Sequence, residues 1–141
     1  GGFVGVGLEH GRSHLARAVL EGIAFSVREI YAEFERCRMP IGPVRVTGGG
    51  ARSALWRQIL ADVLQRPITR AGGDSTLGVA IVAAVGLGFY PDFAFAVHAM
   101  VKPLAYEEPD PEGMAIYACL FDGFVRTRDA LLKAPRARVV R

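Results

Sequence analysis

Cysteine is scarce in this chain: Cys37 and Cys119 are the only two in 141 residues, and neither stands in a C-x-x-C spacing. That excludes a disulfide framework and a thiol-based metal or redox motif, and points to reduced, small apolar core residues in a cytosolic protein. Lysine is equally scarce, two residues against 15 arginines, and no Gly-Lys pair occurs anywhere. Long hydrophobic runs are missing too. The longest uncharged stretch, residues 75–91, is broken by glycines and falls short of the roughly 20 residues of a membrane-spanning helix. No secretory leader is visible. The net charge is only +3, with arginines gathered in the tail "RTRDALLKAPRARVVR" as a solvated basic end. No basic face interleaved with aromatics appears elsewhere, so neither nucleic acid nor a membrane is an expected partner.

What is abundant is apolar surface. Residues of the hydrophobic class make up 51% of the chain, enough for one globular domain and too many for disorder. Leu15, Val19, Ile23, Val27, Ile30 and Phe34 recur at three- and four-residue intervals, which predicts a helix over 13–37 with one buried stripe and Ser13 as its N-cap. "MPIGP" stops it. "VRVT" then reads as a short strand, followed by a second helix over 53–64 with Leu55, Ile59, Leu60 and Val63 on one side. "RPITRAGG" gives another strand and turn. A third helix over 75–86, rich in small residues, is expected to pack closely, and a fourth starts after Pro91. A fifth begins at Asp110–Pro111 with the stripe Tyr117, Leu120, Phe121, Phe124 and Leu131. Alternating helices and short strands predict an α/β domain with parallel pairing of the two inner strands.

The triplet Gly48, Gly49 and Gly50 joins a strand to a helix, a natural place for an anion or nucleotide to meet the backbone. It is not a dinucleotide fingerprint, because G-x-G-x-x-G would need glycine at 53, where Ser stands. It is not a P-loop either, for want of Gly-Lys. A tight turn with no ligand is the competing reading. His10 and His14 stand four apart, yet without H-E-x-x-H or a third ligand they read as structural histidines.

"VTGGGARSALWRQILADVLQRPI" followed by "STLGVAIVAAVGLGFY" resembles the carboxy-terminal half of the FGGY carbohydrate kinases, the xylulokinase type in particular. The upstream "HGRSHLARAVLEGIAFSVREI" and the closing "YEEPDPEGMAIYACLFDGFVRTRDAL" are similar to helices of the same family. The resemblance implies the carboxy-terminal lobe of the actin/hexokinase-like ATPase fold, helix-rich with short parallel strands, over residues 1–141. It implies ATP and Mg²⁺ as cofactors and a ketose, foremost D-xylulose, as phosphoryl acceptor. By the same resemblance, Gly49 and Ser53 contact the nucleotide while Gly48 and Gly50 shape the loop. Arg52 either overlies the nucleotide or faces solvent. Trp56, Ile59 and Leu60 read as core, and Glu21 and Gly22 as packing or support positions.

Two departures accompany the likeness. Asp74 sits close to the leucine of "STLGVAIVAA", where it is assigned no more than helix capping, and Val79 replaces the usual alanine. The chain starts at Gly1 rather than Met, so it is expected to be part of a longer kinase whose other lobe carries the catalytic aspartate and most of the sugar site. Alone it is expected to be inactive, and to pair or aggregate through apolar surface. The alternatives are a non-catalytic nucleotide-binding or interaction module, and a kinase for another ketose, polyol or gluconate.

Overall fold

The computed structural model describes residues 2–73 and 75–133. Its elements are α1 (Arg12–Arg36), β1 (Val44–Val46), a 3-10 turn (Gly50–Arg52), α2 (Ala54–Leu64), β2 (Ile68–Ala71), α3 (Ser75–Gly86), α4 (Phe93–Met100), β3 (Pro103–Glu107) and α5 (Pro111–Lys133). Asp74 and residues 134–141, the second half of the arginine-rich tail, lie outside the described residues.

Helix α2 is the centre of the packing. Ile59, Leu60, Ala61, Val63 and Leu64 are all buried, with Val63 and Ala61 at zero exposure. Each fully buried Val, Leu or Ile side chain contributes about 1.5–3 kcal/mol of transfer free energy. Helices α1 and α5 pack against α2, and Phe25 of α1 anchors the aromatic contact: its ring lies 6.0 Å from Tyr117, 5.8 Å from Phe121 and 5.3 Å from Phe124. Leu55, placed in the buried stripe by periodicity, is half exposed instead.

The apolar stripe expected on α1 is the packed face only in part: Val27 meets the core and Leu15 is half-buried. Val19, Ile23, Ile30 and Phe34 are exposed, whereas Leu20, Ala24, Phe25, Val27 and Tyr31 meet the core. Ser13 does not cap this helix; Gly11 stands at the cap, and its amide donates to His14 Nδ1 at 3.1 Å. His10 Nδ1 accepts from the Gly7 amide at 2.8 Å in the same manner. Both histidines therefore serve the entry to α1. Both cysteines are exposed rather than in the core, and both are free thiols.

The sheet has the order β1-β2-β3. β1 and β2 are parallel as expected, in the register Val44↔Ile68, Arg45↔Thr69 and Val46↔Arg70. β3 is an addition to the expected strands and runs antiparallel to β2, pairing Glu107 with Ile68. The sheet is thus mixed, not purely parallel. Ile68, Val44 and Val46 face the α2 core. The small residues of α3 do not bring it close to a neighbour along its length: a Cβ at Gly78 would meet no atom within 4 Å, and Val79 and Val82 are exposed. Its packing is against α4.

Three polar ties hold α5 in place. Asp62 of α2 is 5% exposed, and its Oδ1 accepts from Gln58 Nε2 and from the Asp110 amide, each at 2.8 Å. Its negative charge sits at the start of α5, where the helix dipole favours it. A Cβ at Gly113 would come within 2.6 Å of Asp62 Oδ2, so this approach requires glycine. At the second tie, the Tyr117 hydroxyl donates to Glu21 Oε1 at 2.9 Å and accepts from Arg17 Nη2 at 2.9 Å. At the third, Arg128 on α5, expected in a solvated basic end, pairs with Glu29 of α1 and with Asp129.

Burial holds the Tyr117 phenol above its ordinary pKa, and the hydrogen bond to Glu21 adds to this against the opposing Arg17. The neutral phenol is the form the fold prefers. Its contribution is therefore complete below the unfolded value of about 10 and fades as pH rises through the elevated folded value. Tyr117→Phe is expected to cost about 1 kcal/mol in chemical denaturation at neutral pH. The tyrosinate absorbance difference between wild type and Tyr117→Phe should show one phenol titrating late; a midpoint at or below the ordinary value would contradict this.

Candidate functional site: a cleft at the ends of the parallel strands

β1 and β2 point their carboxyl ends to the same side, and the chain leaves β1 through Thr47 into the three glycines. The Thr47 hydroxyl donates to the Gly73 carbonyl at 2.8 Å, joining the loops that follow the two strands. In open α/β sheets, ligands sit in the crevice outside such strand ends. A cleft of about 470 Å³ lies there, lined by Gly48, Gly49, Arg52, Arg70, Ala71, Gly73 and Leu104. That volume falls within the range of small-molecule sites, about 300–1,000 Å³. A larger cavity of about 620 Å³ lies between α4 and the flank of the sheet, lined by Arg45, Thr69 and His98 among others. It includes none of the residues singled out by the glycine motif, and it sits beside the strands rather than at their ends.

The three glycines differ in why they are glycine. Gly48 has φ +86°, a left-handed conformation that disfavours any side chain. Gly50 would place a Cβ 3.6 Å from the Trp56 indole, an ordinary contact. Gly49 has φ −61° and ψ −45°, which any residue adopts, and a Cβ there would meet nothing within 4 Å. Among the described residues, neither the backbone nor the surroundings require glycine at 49. Its exposed position opens on the cleft.

The helix does not start directly after the glycines. A 3-10 turn intervenes, in which the Arg52 and Ser53 amides donate to the carbonyls of Gly49 and Gly50 at 3.2 and 3.1 Å. Ser53 then caps α2, its Oγ accepting from the Trp56 amide at 3.2 Å. As an acceptor in that bond, the hydroxyl keeps its own proton to donate outward. Arg52 is exposed and lines the cleft, and Arg70 faces it from β2. Among the described residues lining the cleft none is acidic, so its field favours an anion.

Arg70, Thr47, Leu104 and Arg57 were not singled out by sequence. Arg57 is 6% exposed and donates through Nε and Nη2 to both Glu107 carboxylate oxygens, at 2.8 and 2.6 Å. Its Nη1 donates to the carbonyls of Ala51 and Arg52, at 2.7 and 3.1 Å. Glu107 holds the guanidinium firmly protonated. Glu21 is engaged with Arg17 and Tyr117, which places it in packing. Among the described residues no group of three His, Cys, Asp or Glu gathers to hold a metal ion. No helix among them is long and apolar enough to cross a membrane.

The model of the C-terminal domain of the FGGY family of carbohydrate kinases matches residues 1–87. A xylulose kinase of Staphylococcus epidermidis is 33% identical over 119 residues, covering 83% of this chain and 24% of that protein. A gluconokinase of Bacillus licheniformis is 28% identical over 134 residues, 93% of this chain and 26% of that protein. The chain thus spans about a quarter of the length of these relatives. Among solved structures, a xylulose kinase from Rhodospirillum rubrum superposes with a TM-score of 0.80 at 34% identity, over 92% of this chain and 27% of that one. A Plasmodium falciparum glycerol kinase with ADP, 22% identical, shares the fold at a TM-score of 0.69 over 87% of this chain and 26% of its own. With the glycine loop at the strand ends, the lobe architecture and the match over more than half of its residues, the chain belongs to the FGGY family of carbohydrate kinases.

Proposed function

We propose that residues 1–141 form the nucleotide-binding lobe of an ATP-dependent sugar kinase, which transfers the γ-phosphoryl of MgATP to a ketose, foremost D-xylulose. The observation that carries the nucleotide assignment is Gly49: a residue with ordinary helical dihedrals and open space, on a cleft, where its own fold gives no reason for lacking a side chain. In this reading Gly49 yields its space to the nucleotide, and Gly48 supplies the turn that presents it. Gly50 continues the loop. The Ser53 hydroxyl donates a hydrogen bond from the start of α2. Arg52 and Arg70 supply positive charge for the phosphates. Mg²⁺ arrives with the nucleotide and partly neutralises those phosphates.

Phosphoryl transfer depends on positioning and charge stabilisation from both sides of the transferred group. No residue of this chain is assigned as the base that accepts the sugar hydroxyl proton, so by itself it binds nucleotide without turning over. The xylulose preference is supported by the names of relatives such as the S. epidermidis xylulose kinase, and the gluconokinase match supports gluconate as the second reading. Exposed free thiols at Cys37 and Cys119 suit a reducing compartment, and we place the protein in the cytoplasm.

Calorimetric titration with MgADP tests the nucleotide assignment. Gly49→Val should weaken binding by more than about tenfold, or 1.4 kcal/mol, with little change in thermal stability. Equal affinity in both proteins would leave the loop as a turn and nothing more. Separately, Val79, Val82, Leu87 and Phe89 leave α3 and its following turn with a broad apolar exposure. The chain on its own should therefore self-associate as its concentration rises, seen by light scattering as a mass above that of the monomer. A monodisperse monomer throughout would contradict this.

A further inference from the structure

Resting on the nucleotide reading, we propose that Arg57, clamped by Glu107, is a positioning residue that fixes the glycine loop against β3 and so sets the shape of the nucleotide cleft. Arg57 does not line the cleft. It acts from behind, through the two carbonyls of the 3-10 turn that separates the glycines from Ser53.

The geometry is specific to this role. The turn Gly50–Arg52 leaves the carbonyls of Ala51 and Arg52 pointing at the guanidinium, and Ala51 is itself 3% exposed. The other edge of the same planar group grips both oxygens of Glu107, the last residue of β3. Leu104, three residues earlier on that strand, lines the same cleft as Gly48 and Gly49. One rigid fork therefore links the loop and the strand that both line the cleft.

Stability alone is a poor reason for such an arrangement. Two ions withdrawn from water are costly, and well-packed apolar residues in their place are often as stable or more so. An apolar residue at 57 would fill the volume but would leave both turn carbonyls unheld. Four charge-assisted bonds in a fixed plane instead define direction, which lysine with its single flexible ammonium cannot reproduce. A loop held in advance loses less freedom when a ligand arrives, and that saving appears as affinity.

The test uses Arg57→Lys and Glu107→Gln in the full chain, with MgADP as the probe. Each variant is studied at temperatures where circular dichroism shows it fully folded. The expected result for Arg57→Lys is a dissociation constant for MgADP raised on the order of tenfold. It is accompanied by faster amide hydrogen exchange at residues 49–53 and unchanged exchange in α5. Glu107→Gln, which keeps the shape of the partner and one acceptor, should show the same pattern to a smaller degree. A lowered melting temperature with unchanged affinity and unchanged loop exchange would overturn the proposal. If wild type fails to bind MgADP, the nucleotide reading falls, and the exchange arm still decides whether Arg57 positions the loop.

Discussion

Helix α2 has hardly any free surface between its first turn and its end, and that single constraint organises the molecule. Its apolar side chains meet α1 and α5 on one side and the sheet on the other. A helix so enclosed has no room for an unpaired charge, yet it carries Arg57 and Asp62, both buried. Each charge is answered by a specific element. Arg57 reaches the glycine turn and β3, while Asp62 reaches the amide of Asp110, just before α5. The two residues convert a non-directional hydrophobic packing into defined positions for the parts around it.

The cleft inherits its form from that arrangement. The loop after β1 and the loop after β2 are joined by Thr47 and Gly73, and the turn beyond the glycines is held from behind by Arg57. Nothing in this framework explains the bare backbone at Gly49, whereas Gly48 is explained by its positive φ and Gly113 by the carboxylate beside it. A glycine without an internal cause, on the rim of an electropositive cleft, is the feature that turns a fold description into a functional one. The wide apolar exposure on α1 and α3 fits a chain that spans about a quarter of the length of its relatives.

Where sequence and structure agree, a local signal was strong. Helix α3 occupies residues 75–86 as its uncharged run suggests, and α5 begins at Pro111 after Asp110 because proline at the first helical position is a local preference. The parallel pair β1 and β2 followed from the helix between them. Strand β3 is the longest of the three, yet it escaped because it starts with proline and exists through its pairing with β2. On α1 the failure has another cause. That helix is apolar on two faces, and periodicity cannot tell the packed set of Leu20, Ala24 and Tyr31 from the exposed set of Val19, Ile23 and Ile30, with Val27 alone common to the expected stripe and the core contacts. The glycine loop and Ser53 were legible as a motif. Arg57 was not, since its partners stand 50 residues away at Glu107 and on the backbone of a turn, and one arginine among 15 carries no mark of burial.

The bare loop at the strand ends is, on the function proposed above, where this chain meets a nucleotide. The most direct measurement is an amide chemical-shift map recorded while MgADP is added to the isotope-labelled chain. Saturable shifts are expected, concentrated at residues 47–53 and 70–73, with the flank between α4 and the sheet unmoved. Shifts centred instead on Arg45, Thr69 and His98 would place the ligand in the other cavity and contradict that reading.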